Sequence, residues 1–240
     1  MIRGIHIAAE GMIARQNAQD VIANNIANAN TSGFKADRPV FSVALNRSVN
    51  RREGDQTQTI GSLAFGSRAG SAHTANEQGA LMTTGNPLDF AISGPGYFVV
   101  ETPQGERYTR NGSFMLDAEG RLVDKHGHPV KGEQGEITIP AGKPITVAAD
   151  GTISVEGQTI DKIQIVDGNL RKNDQGRFVG QVQPVESPII AQGALEASNV
   201  SVVKEMISMI ENFRAFEASQ KVLKAHDDAL GLAVNELAKL

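Results

Sequence analysis

Cysteine and tryptophan are absent from this 240-residue sequence, and the absence of cysteine excludes two classes of protein. Without cysteine there is neither a disulfide scaffold nor a thiolate nucleophile, although an oxidising compartment is still compatible with the sequence. No apolar run reaches the length of about eighteen residues that a membrane-spanning helix needs, so we expect no membrane insertion. The net charge of −4 offers no basic surface, and we therefore expect no nucleic-acid partner.

Proline and glycine are almost missing from the two ends of the chain. All nine prolines fall between Pro39 and Pro188, and 22 of the 25 glycines fall between Gly33 and Gly193. Because these residues mark turns and interrupt helices, the distribution predicts an α+β fold in which a β-rich insert separates two terminal helices. The first residues already follow a helical pattern, so we expect no cleavable secretory signal.

The last forty residues carry apolar positions that step alternately by four and three. Nine of these eleven positions are apolar, which predicts a long helix with a heptad seam. The seam residues are Val202, Met206, Met209, Phe213, Phe216, Gln220, Leu223, Asp227, Leu230, Val234 and Leu237.

A weaker seam of the same kind begins the chain. Its positions are Ile2, Ile5, Ala9, Met12, Gln16, Gln19, Ala23 and Ile26. We expect the two terminal helices to pair as a coiled coil, with small and polar residues setting the register. Two readings stay open: an ordinary helical hairpin that closes a globular domain, or a pair whose remaining apolar surface serves other subunits.

The first helix is expected to end near Asn28, because Asn28–Gly33 combines asparagines with a glycine that favours left-handed geometry. Phe34 and Val40-Phe41 are apolar anchors just beyond it. Between residues 46 and 79 large apolar side chains nearly vanish, which predicts a solvated loop in the isolated chain. The alternative is an extended segment that neighbouring molecules order on assembly.

Short strands separated by glycine turns are predicted from residue 88 to residue 182. Their length and spacing favour an antiparallel sandwich or barrel. Asn111-Gly112 is the strongest hairpin signal, and Gly94-Pro95-Gly96 reads as a turn before a strand. The expected strands cover residues 88–93, 97–101, 107–110, 113–117, 121–124, 136–139, 145–148, 152–156, 162–166 and 177–182. The expected aromatic core consists of Phe90, Tyr97, Phe98, Tyr108, Phe114 and Phe178.

These patterns divide the chain into four parts. Residues 1–30 and 199–240 form a helical coiled-coil assembly domain, and residues 31–80 form an extended linker. Residues 81–190 form the β-rich outer domain, and residues 191–198 form a return linker.

Side chains that could perform catalysis are sparse. His126 and His128 have the spacing of a metal pair, but Gly127 and Pro129 indicate a turn and no third ligand stands at a motif spacing. Asp227-Asp228 reads as seam register and a solvated helix face. We therefore predict no enzyme, no cofactor and no metal site.

Three stretches in chain order resemble the bacterial flagellar rod and hook protein family. The first is Asn24–Lys35, the second comprises Leu88–Ile92, Gly94–Val100 and Tyr108–Phe114, and the third is Gly193–Val200 followed by Glu205–Ile207, Met209-Ile210, Arg214 and Phe216-Glu217. Within the family, Gly127–Val130 and Ala149–Ser154 are similar to the proximal rod member. Pro39–Phe41 is also similar to the distal rod member.

The resemblance implies a structural subunit of the hollow axial shaft between motor and hook. It implies terminal helices that line the tube, an outer β domain, and assembly with copies of itself and other rod proteins in the periplasmic part of the basal body. It also implies delivery by the flagellar type III export apparatus. The candidate assembly residues join the seams to the signature positions: Ile2, Ile5, Met12, Asn25, Ile26, Asn28, Gly33, Phe34, Asn199, Val202, Met206, Met209, Phe213, Phe216, Leu223, Leu230, Val234 and Leu237.

Two other classes are open alternatives. A wall-associated enzyme or glycan-binding module would need clustered carboxylates or an aromatic platform, yet the chain has two tyrosines and no tryptophan. A soluble β protein with an incidental helical hairpin would be a compact monomer at all concentrations.

Overall fold

The computed structural model of the chain describes residues 2–53, 56–140, 143–173 and 176–237. A long helix stands at each end and a β-rich region lies between them, as the distribution of proline and glycine predicts. The helices are α1 (Ile2–Ala27) and α2 (Val202–Leu237). Neither helix, within these ranges, has a stretch long and apolar enough to cross a membrane.

Both helix ends follow from local sequence. After α1 the chain turns where the Thr31 amide donates to the Asn28 carbonyl, at 3.0 Å, and Gly33 adopts a φ of 68°. Glycine adopts this left-handed conformation without the cost that a Cβ would add. At the start of α2 the Glu205 amide donates to the Ser201 carbonyl, and the Glu205 carboxylate suits the positive end of the helix dipole.

Seventeen strands occur between the helices in the described residues. The strands are β1 (Asp37–Arg38), β2 (Phe41–Glu53), β3 (Gln56–Ala69), β4 (His73–Thr74), β5 (Leu81–Thr83), β6 (Phe90–Ser93), β7 (Tyr97–Thr102), β8 (Gly105–Thr109), β9 (Met115–Leu116), β10 (Leu122–Val123), β11 (Ile145–Val147), β12 (Thr152–Val155), β13 (Gln158–Lys162), β14 (Ile165–Lys172), β15 (Phe178–Pro184), β16 (Ile189–Gln192) and β17 (Ala194–Glu196).

The chain divides into two compact units. The helical unit comprises the described residues within 2–27, 37–73 and 201–237, and the β unit comprises those within 28–36 and 74–200. In the helical unit, β2 and β3 form a long antiparallel hairpin, with Phe41 opposite Ala69. The Arg15 guanidinium of α1 lies 5.3 Å from the centre of the Phe41 ring. This hairpin occupies much of the segment for which the sequence predicts a loop or a linker.

In the β unit, strands β7, β8, β14 and β15 close into a small antiparallel barrel. Strand β7 is buried on both faces: Phe98 and Val100 pack into one core cluster, and Tyr97 and Val99 pack into another. Burial on both faces explains why this strand is a continuous apolar run. All six aromatic residues predicted for the core are buried.

The hairpin predicted at Asn111-Gly112 does not form. Strand β8 ends at Thr109 and pairs with β7 and β15, and the tight turn between β7 and β8 lies at Pro103-Gln104 instead. Gly112 passes so close to Phe90 that an added Cβ would lie 1.7 Å from the Phe90 carbonyl oxygen. The glycine is needed for this close approach, and the dipeptide therefore resembles a hairpin turn without being one.

Candidate assembly interface

The two terminal helices lie antiparallel and in contact within the helical unit. The Asn25 amide, near the end of α1, donates to the Glu205 carboxylate near the start of α2, at 3.3 Å. At the opposite end, a Cβ added to Gly4 would lie 3.1 Å from His226 Nε2. Because α2 has 36 residues and α1 has 26, the last turns of α2 continue past the start of α1.

A row of buried and half-buried positions on α2, here called the inner stripe, alternates apolar and polar residues as far as Leu230. Its members are Val202, Glu205, Met209, Asn212, Phe216, Ser219, Leu223, His226, Leu230 and Ala233. The predicted seam shares only the apolar members with it. Asn212 is drawn inward because its amide donates to the Arg15 carbonyl and to Gln19 Oε1, both at 2.8 Å.

On α1, burial falls partly on residues outside the predicted seam. Ala14, Ala18 and Ile22 are buried there, while the predicted seam residues Ile5, Met12 and Ile26 are half-buried. Two other predicted seam positions, Gln16 and Ala23, are exposed. The side chains of Ile2 and Leu237 lie outside the described part of the structure.

The remaining predicted seam positions with described side chains are exposed: Met206, Phe213, Gln220, Asp227 and Val234. Two of them, Met206 and Phe213, lie beside three exposed apolar residues that the seam did not include. We call Val203, Met206, Ile207, Ile210 and Phe213 the outer stripe; their exposed fractions are 68%, 50%, 52%, 55% and 55%. Helical spacing places these side chains next to one another. Farther along, Val234 is exposed as well. A contiguous exposed apolar surface of this kind is typical of an interaction site.

Asn25, from the asparagine-rich signature, ties the end of α1 to the chain beyond it. Its side chain is 1% exposed, its amide donates to the Asp37 carbonyl at 2.8 Å, and its carbonyl accepts from the Asp37 amide at 3.0 Å. The side chain thus satisfies both backbone groups of Asp37. An apolar replacement would leave these groups without their partner.

Asn199 plays a similar part in the β unit. Its side-chain carbonyl accepts from the Ala36 amide at 2.8 Å, and its side-chain amide donates to the Ala75 carbonyl at 2.9 Å. The Phe34 ring lies 3.7 Å from Lys172 Nζ, as in a cation–π contact. Asn28 forms the turn after α1, described above. Asn25 and Asn199 therefore hold backbone segments together through side-chain hydrogen bonds.

Gly33 lies against the backbone of Arg110, also in the β unit. A Cβ added to Gly33 would lie 2.3 Å from the Arg110 carbonyl carbon. The Gly33 amide donates to the Glu196 carbonyl at 2.7 Å. Close approach and positive φ together make this position specific for glycine.

A buried ion cluster beside Gly33 was not predicted from the sequence. Glu196 accepts from Lys35 Nζ at 2.5 Å and from Arg110 Nη1 at 3.0 Å, and all three side chains are at most 5% exposed. Burial lowers the pKa of Lys35, and the hydrogen bond and charge of Glu196 oppose that shift. Lys35 and Glu196 both lie within the stretches that resemble the family. Their position in those stretches was the available sequence signal for the ion cluster.

The histidine pair is part of a polar turn. The Asp124 carboxylate lies 3.2 Å from His128 Nδ1 and accepts from Arg177 at 2.7 Å. Burial alone would raise the pKa of Asp124, but hydrogen bonds from the His128 and His126 amides and the charge of Arg177 lower it. Among the described residues, no group of three or more histidine, aspartate or glutamate side chains could hold a metal ion.

Three family descriptions match the chain in order. Residues 5–35 match the flagella basal body rod protein family, and residues 91–155 match the D1 domain of the flagellar hook protein FlgE/F/G. Residues 191–236 match the C-terminal part of the flagellar basal body rod FlgEFG proteins. These matches cover most of α1, part of the β unit and nearly all of α2.

Curated relatives match over nearly the whole length. The flagellar basal-body rod protein FlgF of Caulobacter vibrioides is 34% identical over 253 residues, covering 100% of both chains, and FlgF of Escherichia coli is 34% identical over 268 residues with the same coverage. FlgG of Bacillus subtilis is 33% identical over 262 residues, covering 98% of this chain and 99% of the relative. Full-length identity at this level shows that the chain belongs to the bacterial flagellar basal-body rod protein family.

Proposed function

We propose that this chain polymerises through its terminal helices into the axial shaft of the flagellar basal body. The inner stripe holds α2 on α1 as a coiled pair within one subunit. The outer stripe then contacts the helices of neighbouring copies and of other rod proteins. The observation that supports this division most strongly is the exposure of five adjacent apolar side chains on one face of α2.

The energetics favour burial of the outer stripe on assembly. Complete burial of a large aliphatic or aromatic side chain contributes about 1.5–3 kcal/mol, so even half-exposed residues leave several kcal/mol available to an interface. The inner stripe gives less, because polar residues occupy Glu205, Asn212, Ser219 and His226, where apolar side chains would bury more apolar surface. We expect the helix pair to be mobile in the monomer and to become rigid in the assembled shaft.

For position along the shaft we propose the proximal rod, the place of FlgF. The stretches Gly127–Val130 and Ala149–Ser154 support this assignment, and identity to FlgF extends over all of both chains. FlgG relatives are similar at nearly the same identity, so the distal rod is the alternative. Cryo-electron microscopy of basal bodies that carry a tagged copy would locate the chain.

Resemblance to the family also supports export through the flagellar type III apparatus and a periplasmic location within the basal body. We propose a structural role without catalysis. Purified peptidoglycan offers a direct check, because a structural subunit should neither cleave it nor bind it tightly.

One substitution tests the outer stripe. Phe213→Asp places a charge on it and should abolish polymerisation of the purified chain, measured by sedimentation and electron microscopy, while the monomer keeps its fold. The matched control is Ser208→Asp, an exposed position about 140° away around the helix. Normal polymerisation of Phe213→Asp, or equal loss in both variants, would contradict the assignment of this face.

A further inference from the structure

The ion cluster of Lys35, Arg110 and Glu196 joins three parts of the chain that are far apart in sequence. Lys35 follows the turn after α1, Arg110 follows β8, and Glu196 ends β17. The two ion pairs span 161 and 86 residues. All three residues belong to the β unit.

Glu196 holds more than the two cations. Its Oε1 also accepts from the Gly79 amide at 2.9 Å, and its backbone carbonyl accepts from the Gly33 amide at 2.7 Å. Lys35 donates in addition to the Glu77 carbonyl at 2.7 Å. Segments 33–36, 77–79 and 196–199 are therefore fastened to one another at a single buried point.

The charges in this cluster do not balance. Two cations share one carboxylate, and the side chains are 1%, 5% and 1% exposed. Arg110 Nη2 donates to the Gly94 carbonyl, but Arg110 Nε is buried with no hydrogen-bond partner among the described residues. Without Glu196, both buried cations would lose the carboxylate that they share, and a buried cation without its partner strongly opposes closure.

We propose that docking of Glu196 is the last step in the folding of the β unit, and we call Glu196 the latch of this unit. Until the segment around residue 196 docks, Lys35 and Arg110 stay hydrated and the segment at 33–36 stays open. Docking of Glu196 then buries all three charges together. Because the ion pairs close long loops, they form after the more local strand pairing of β7 with β8 and of β14 with β15. Folding of the β unit thereby finishes only when its own last segment, around residue 196, is in place.

The two tyrosines provide a specific probe of this step. Tyr97 and Tyr108 are both buried in the β unit and the chain has no tryptophan, so intrinsic fluorescence reports this unit. The experiment follows unfolding and refolding of the full-length chain in urea by stopped flow. It compares the unchanged chain with Glu196→Gln, Lys35→Met and the double variant. Glu106→Gln, which removes the carboxylate of the exposed Lys131–Glu106 pair, is the matched control.

If the ion cluster forms last in folding, a substitution in it should change the unfolding rate and leave the refolding rate nearly unchanged. Glu196→Gln should unfold at least roughly 100-fold faster, as expected when one partner of a buried ion pair is lost, and should refold within about twofold of the unchanged rate. Glu106→Gln should change neither rate by more than about twofold. Refolding that slows as much as unfolding accelerates would place the cluster early in folding and would overturn the proposal.

The double variant keeps the test decisive if Glu196→Gln alone does not fold. Adding Lys35→Met removes one of the two uncompensated cations, so the double variant should be more stable than Glu196→Gln and should fold. Lys35→Met alone leaves Glu196 paired with Arg110 and should lose less stability than Glu196→Gln. Additive losses in the two single variants would show that the residues are not coupled, and would contradict the latch.

Discussion

Single residues in the β unit are held by geometry that few other side chains fit. Gly33 shows this best, because its positive φ and its contact with the Arg110 backbone exclude a Cβ for two separate reasons. Asp124 shows the electrostatic counterpart: burial alone would raise the pKa of its carboxyl, and the surrounding amides and the Arg177 guanidinium lower it instead. Each feature leads to a substitution with a matched control.

Gly33→Ala should destabilise the β unit by roughly 3 kcal/mol or more, because it combines backbone strain with overlap on Arg110. Gly85→Ala is the control: Gly85 also has a positive φ, of 75°, but no atom lies within 4 Å of an added Cβ. It should lose only about 1–2 kcal/mol. Urea denaturation followed by tyrosine fluorescence measures both, and equal losses would show that the contact with Arg110 is not restrictive.

The lowered pKa of Asp124 makes stability depend on acid. The pKa of Asp124 is lower in the folded state than in the unfolded chain. The ionised carboxylate therefore stabilises the fold at pH values above the unfolded-state pKa, and this stabilisation disappears as the pH falls through the folded-state pKa. Asp124→Asn should therefore lessen the loss of stability on acidification from about pH 5 to below pH 3. The exposed Glu186→Gln variant is the control. An unchanged slope for Asp124→Asn would contradict this role.

At the scale of elements, α2 carries two faces that the sequence does not separate. The heptad count selects Met206 and Phe213 because they are apolar, whereas the structure turns Glu205 and Asn212 toward α1, where they find hydrogen-bond partners. Periodicity thus predicts the helix and its length, and only the contacts distinguish its inner from its outer stripe.

Substitutions on the two faces should affect the monomer differently. Met209→Asp places a charge on the half-buried inner stripe and should lower the thermal midpoint of helix unfolding, measured by circular dichroism at concentrations too low for assembly. Phe213→Asp, on the exposed outer stripe, should leave that midpoint within a few degrees of the unchanged chain. The reverse order of the two variants would show that the faces have been assigned wrongly.

Strands were predicted well where their buried positions give the sequence a run or an alternation of apolar residues. β7 and β15 are apolar runs or alternations, and they were predicted to within a few residues. The hairpin of β2 and β3 was not predicted, because its strands have few large apolar residues. This hairpin belongs to the helical unit and not to the main β core. Gly112 misled the prediction because close packing and tight turns favour the same residue.

At the scale of the whole molecule, the family was recognisable from the sequence, because its signatures lie at both ends and in the centre of the chain. The residues of those signatures have different tasks. Asn25 forms hydrogen bonds within the helical unit, whereas Gly33, Lys35 and Glu196 form hydrogen bonds within the β unit. Distance along the chain concealed the second group, because Lys35 and Glu196 meet only once the β unit has folded.

The central claim is that the outer stripe becomes buried between copies on assembly. Because the chain has no cysteine, Met206→Cys provides a single reporter on that stripe, and Lys125→Cys provides one on an exposed turn of the β unit. The rate of thiol labelling is compared between monomer and assembled rods. We predict that labelling at position 206 slows by roughly tenfold or more on assembly, while labelling at position 125 changes much less. Equal labelling of Met206→Cys in monomer and rods would contradict the account.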